Sequence, residues 1–71
     1  MNRTSVSSSN IASIGYDAAR RVLEIEFLNG SVYQYSSVPE SLYNGLMNAS
    51  SHGSYFDSYI KKGGFAYRRI N

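Results

Sequence analysis

The sequence has no cysteine and no tryptophan, one proline and one histidine in 71 residues. Without cysteine there is neither a disulfide framework nor a thiolate metal site, and His52 alone cannot build a histidine-rich one. Charge is also scarce: seven Lys and Arg against five Asp and Glu leave a net +2, too little for an electrostatically driven binder of duplex DNA. No apolar run approaches the ~20 residues of a transmembrane helix, and the opening Asn-Arg-Thr-Ser-Val-Ser-Ser-Ser has no signal-peptide hydrophobic region. A soluble, cytoplasmic protein without membrane partners is expected. A chain this short builds a core worth only a few kcal/mol, and with disulfides and metals set aside, self-association is the remaining staple.

What the chain has is tyrosine, seven residues against three phenylalanines. Tyrosine buries a large apolar body and keeps a polar tip, which suits wet interfaces. The most ordered pattern is Leu23 to Tyr35, strict alternation on both sides of Asn29-Gly30, the signature of a β-hairpin. With Asn29 and Gly30 as a two-residue turn, Phe27 falls opposite Val32, Glu26 opposite Tyr33, Ile25 opposite Gln34 and Glu24 opposite Tyr35. That register puts Leu23, Ile25, Phe27 and Val32 on one face as core. The other face then gathers Glu24, Glu26, Tyr33 and Tyr35.

Residues 1–9, Ser-rich and aperiodic, read as a flexible arm, with a single domain over 10–71. Ile11 to Tyr16 and Arg21 to Leu28 read as strands, joined by a turn at Asp17 to Arg20, and Ser31 to Ser36 as a third. Ser37-Val-Pro-Glu40 has the spacing of a capping box with proline in the first turn, and Leu42, Leu46 and Ala49 with Tyr43 and Met47 form a helical stripe. Ser50 to Ser54 breaks this helix and caps a second, with Tyr55, Phe56, Tyr59 and Ile60 on one side, closed by Lys61-Lys62-Gly63-Gly64. Phe65 to Ile70 is a closing strand with Phe65, Tyr67 and Arg69 on one face. The expected fold is α+β, a small antiparallel sheet with two short helices in the order β-β-β-α-α-β.

Several stretches together resemble a known family: Gly15-Tyr16-Asp17, Leu23 through Phe27 with Asn29-Gly30, Tyr33-Gln-Tyr35, Val38-Pro39, and Ala49-x-Ser51-x-Gly53-x-Tyr55-Phe56. Over roughly residues 10–70 the chain resembles the KTSC domain, a small module also found at the C-terminus of some lysyl-tRNA synthetases. The resemblance implies an RNA-binding role only by that association.

No catalytic constellation stands out. His52 is the sole base able to activate a hydroxyl at neutral pH, and its neighbours Ser51 and Asp57 are too close in sequence for an ordinary triad. Glu24 and Glu26, roughly 7 Å apart by strand rise, lack the deep cleft a carboxylate pair requires. A non-enzymatic binder needing no cofactor is the expectation. In its leading form a homo-oligomer captures, and by doing so sequesters, a small nucleotide-type ligand. Tyr33, Tyr35 and Tyr67 would stack on the base and Glu24 or Glu26 would read its edge. Phosphate would be held by Arg68, Arg69, Arg21 or the Ser51, Gly53, Ser54 loop. A single-stranded RNA-binding module using the same groups is the second form, and a protein–protein interaction module the third.

Overall fold

The computed structural model describes all 71 residues. Five antiparallel strands stand in sequence order: β1 (Arg3–Ser5), β2 (Ile11–Asp17), β3 (Val22–Phe27), β4 (Val32–Tyr35) and β5 (Tyr67–Arg69). Between β4 and β5 come α1 (Glu40–Asn48) and α2 (His52–Tyr55), the latter running straight into a π-helical segment, Phe56–Lys61. The α+β class and the β-β-β-α-α-β order from Ile11 onward agree with expectation. The added strand is β1, inside the segment whose composition suggested a flexible arm; it pairs with β2 as Arg3 with Gly15 and Ser5 with Ser13. No helix is long and apolar enough to cross a membrane.

The hairpin register differs by one residue from the two-residue-turn expectation. Leu23 lies opposite Tyr35, Glu24 opposite Gln34, Ile25 opposite Tyr33 and Glu26 opposite Val32. The loop has three residues, Leu28, Asn29 and Gly30. The Gly30 N–H donates to the Phe27 carbonyl, the Phe27 N–H donates to the Ser31 carbonyl, and Gly30 sits at φ +91°. This is a turn followed by a left-handed glycine, the common three-residue hairpin, and Asn29 Oδ1 braces it by accepting from the Ser31 N–H and hydroxyl. Because strand side chains alternate, a one-residue slip transfers one strand's entire set to the opposite face. Tyr33 and Tyr35 therefore share a face with Leu23, Ile25 and Phe27. Glu24 and Glu26 share the other with Gln34 and Val32.

The helices cover the Leu23/Ile25 face. Ile11, Ile14, Leu23, Ile25, Tyr35, Val38, Leu46, Phe56 and Ile60 form the core. Ile11 and Ile14, three apart, both reach it because the β2–β3 register shifts between Ile11 and Ser13, a bulge that resets the alternation. Tyr16 stacks on Tyr43 at 4.8 Å between ring centroids and donates its hydroxyl to the Val38 carbonyl, fixing α1 to the sheet. The capping box does not form: Ser37 takes φ +59° and α1 starts after Pro39 with no side-chain cap. Ser51 does cap α2, accepting from the Ser54 N–H. His52 Nδ1–H donates to the Leu46 carbonyl at 2.8 Å, tying the start of α2 to the end of α1. Gly45 leaves room for Tyr55, whose hydroxyl occupies the place a Cβ would take.

The opposite face of the sheet carries no helix. Arg3 Nη1 donates to Glu24 Oε2 at 2.7 Å, Gln34 Nε2 to Glu24 Oε1 at 2.8 Å, and the Ser13 hydroxyl to Glu26 Oε1 at 2.7 Å. Both carboxylates are thus satisfied within the sheet. Gly15 keeps the crossing of β1 close: a Cβ there would lie 2.7 Å from the Asn2 carbonyl oxygen and 3.0 Å from Arg3 Cγ.

Candidate functional site

Where β4 and β5 run past the π-helical segment, the aromatic side chains outnumber what the small core can enclose, and the excess lines a cleft of about 440 Å³. Phe27, Tyr33, Tyr35, Phe56 and Tyr67 form its walls, with Asn10, Asp57 and Lys61 supplying the polar groups. Pairing places Tyr67 opposite Tyr35 and Arg69 opposite Tyr33, so both β5 residues face the cleft side. Tyr35 packs 5.5 Å from Tyr67 and 5.5 Å, edge-on, from Phe56, and Tyr33 lies 6.0 Å from Tyr67. Tyr67 is 65% exposed. An aromatic so open beside buried ones gives a planar ligand one free ring to stack on without disturbing the core.

The phenol of Tyr35 is pushed up to about 12 by burial, with the neighbouring Tyr33 and Tyr67 adding to the shift. It stays protonated across the physiological range, a fixed hydrogen-bond donor at the base of the cleft. The π-helical turn brings Phe56, Asp57 and Lys61 to the same wall, with the Lys62 N–H reaching back five residues to the Asp57 carbonyl. Widened turns of this kind frequently occur at functional sites. Asp57 Oδ2 is 3.2 Å from Lys62 Nζ.

A second, polar cleft of about 390 Å³ adjoins the first and shares Asn10 and Asp57 with it. Its other walls are Ser9, Ser51, Gly53, Ser54 and Ser58. The Ser51 hydroxyl is committed to Ser54, 3.0 Å between their Oγ atoms, and to the Ser54 N–H.

Of the residues singled out from sequence, Tyr33, Tyr35 and Tyr67 come together, with Arg69 beside them. Glu24 and Glu26 do not join them; the one-residue register shift puts both on the helix-free face, so they cannot read the edge of a base stacked on these tyrosines. Arg68 also lies on that face, 3.5 Å from Gln34 Oε1. Arg21 sits at φ +57° in the β2–β3 turn, where its carbonyl accepts from the Val38 N–H, and lines neither cleft. Ser51, Gly53 and Ser54 line the polar cleft, which no lysine or arginine enters; that cleft suits neutral hydroxyls better than phosphate. Asn10, Phe27, Phe56, Asp57 and Lys61 are cleft residues that no sequence pattern marks as ligand-binding. Phe27 and Phe56 read as plain core, and a π turn leaves no mark in helical spacing that would align Asp57 with the cleft.

The KTSC domain family model matches residues 7–67. The chain belongs to the KTSC family. A KTSC domain protein of Yersinia pestis, seen in a crystal structure, superposes with a TM-score of 0.90 at 49% identity, covering 99% of this chain and 97% of that one. An uncharacterized protein of Stutzerimonas stutzeri is 37% identical over 71 residues, the full length of both. The lysine–tRNA ligase of Nostoc punctiforme is 40% identical over 63 residues, which are 89% of this chain and 11% of the ligase. KTSC sequences thus stand both alone and as a small part of a larger enzyme.

Proposed function

We propose that this KTSC protein is a non-enzymatic, cytoplasmic binding module that takes a nucleobase-bearing ligand into the aromatic cleft. The observation that carries the reading is the cleft of five aromatic rings around about 440 Å³, with Lys61 in its wall. The base lies against Tyr67 and Tyr33, the Tyr35 hydroxyl donates to it, and the phosphate leaves the cleft toward Lys61 and Arg69. Stacking on aromatic rings is worth ~1–3 kcal/mol per base and tolerates any base. Capture of a free nucleotide is the leading form, and self-association belongs with it: Tyr67 and Ile70 stay exposed along edge strand β5, where a second copy would close the open side of the cleft.

The test is tyrosine emission during titration with nucleoside 5′-monophosphates, with no tryptophan present to mask it. Saturable quenching in the parent protein, weakened about tenfold or more in Tyr67→Ala, is expected from the stacking energy. No quenching with any nucleotide would refute the reading. The lysine–tRNA ligases among the relatives favour a second form, in which the same cleft takes one base of a single-stranded RNA. Affinity that climbs with oligonucleotide length and falls steeply with salt would mark that form.

A further inference from the structure

We propose that Asn10 and Asp57 read the sugar of the bound nucleotide, so that the site selects ribose over 2′-deoxyribose. This rests on the aromatic cleft holding the base. The two clefts adjoin, and the wall they share, the seam between them, is made by Asn10 and Asp57, the residues common to both. A base in the aromatic half places its sugar at the seam and in the polar half.

The chemistry of that half is suited to hydroxyl groups. Its seven lining residues are Ser9, Asn10, Ser51, Gly53, Ser54, Asp57 and Ser58. No lysine or arginine lines it to hold a phosphate, and serine and asparagine offer donors and acceptors of the kind a sugar hydroxyl needs. Ser51 and Ser54 are hydrogen-bonded to each other, and Asn10 and Asp57 are the lining residues that also reach the aromatic cleft. Asn10 Oδ1 accepts from the Ser8 hydroxyl at 3.1 Å, which turns the amide and leaves Nδ2 without a partner in the chain. Asp57 Oδ2 is held by Lys62 at 3.2 Å, and Oδ1 has no partner. A free amide donor and a free carboxylate oxygen at one seam complement a vicinal diol, each of whose hydroxyls both donates and accepts.

Gly53 supports the same arrangement. It needs no special backbone conformation, since its φ is not positive, yet a Cβ on it would fall 2.5 Å from Asn10 Oδ1. The glycine of the Ser51-x-Gly53 loop leaves room for the Asn10 side chain as it is placed at the seam.

The experiment is a paired titration of the intact protein with adenosine and 2′-deoxyadenosine 5′-monophosphates, repeated with the guanosine pair, read by tyrosine emission and by calorimetry. The expected result is ribonucleotide affinity about tenfold or more above its deoxy counterpart, the loss of one or two hydrogen bonds. In Asn10→Ala and Asp57→Ala the ribose-to-deoxyribose ratio falls toward one, with circular dichroism verifying that each variant is folded. Equal affinity for the two sugars in the parent protein overturns the sugar assignment while leaving the base cleft standing. Binding of neither sugar form overturns both, and the parent comparison decides without reliance on any variant.

Discussion

Arg3 is the sharpest test of how the sheet is built, because composition alone would leave it in a disordered arm. In Arg3→Ala the Glu24 carboxylate, 6% exposed, keeps only Gln34 as a partner. A surface ion pair is worth ~0–1 kcal/mol and breaking a buried one costs ~3–5 kcal/mol. The Arg3 side chain is 31% exposed and that of Glu24 7%, so the pair sits between these limits, at about 2 kcal/mol. For a domain of this length each kcal/mol moves the melting temperature by ~4–8 °C, so a fall on the order of 10 °C is expected. Thermal melts followed by circular dichroism measure it. A double-mutant cycle with Glu24→Gln isolates the pair, and Arg3→Ala is expected to cost about 1 kcal/mol less once Glu24 is neutral. If Arg3→Ala melts within 2 °C of the parent, a shift of roughly 0.5 kcal/mol or less, the Arg3–Glu24 pair is worth no more than a surface ion pair and the figure of about 2 kcal/mol is refuted.

Other expectations follow from the same geometry. Tyr35 has an ordinary phenol in the unfolded chain and one raised to about 12 in the fold. The folded state therefore holds its proton more tightly, and the stability this contributes is complete below pH 10 and lost as pH rises toward 12. The fall is at most about 1.4 kcal/mol per pH unit. Urea unfolding at stepped alkaline pH should show it, and Tyr35→Phe should remove that part of the slope. Tyr35→Ala should cost ~3–5 kcal/mol, the price of an emptied aromatic core site, where the two-residue-turn register would have made it nearly free. Gly30→Ala forces a side chain at φ +91° and should lower stability by about 1 kcal/mol in denaturant titration. Gly45→Ala, usually helix-stabilising, should instead destabilise, because the new methyl displaces the Tyr55 hydroxyl.

The class of fold was legible because its signals were local: alternation in Leu23–Phe27, the 3.6-residue stripe through Leu42 and Leu46, and the Ser51 cap. What was not legible turned on single residues. Asn29-Gly30 suits a two-residue turn, yet it also supplies the Asx brace and the left-handed glycine of a three-residue loop. The choice between them moves Tyr33 and Tyr35 from one face to the other. Alternation also splits Ile11 from Ile14, and only the bulge between them restores both to the core. The tyrosines were rightly grouped with one another, since residues two apart share a face whatever the register. Their partners were wrong, since those come from the strand opposite. The polar seam of Asn10 and Asp57 joins residues 47 positions apart, through a π turn that helical periodicity does not announce.

The most direct measurement is an amide chemical-shift map of the labelled protein titrated with adenosine 5′-monophosphate. Saturable shifts are expected at Phe27, Tyr33, Tyr35, Phe56, Asp57 and Tyr67, on the helix side of the sheet. Shifts confined to Arg3, Glu24, Gln34 and Arg68 on the helix-free face, or no shifts at saturating nucleotide, would contradict binding in the aromatic cleft.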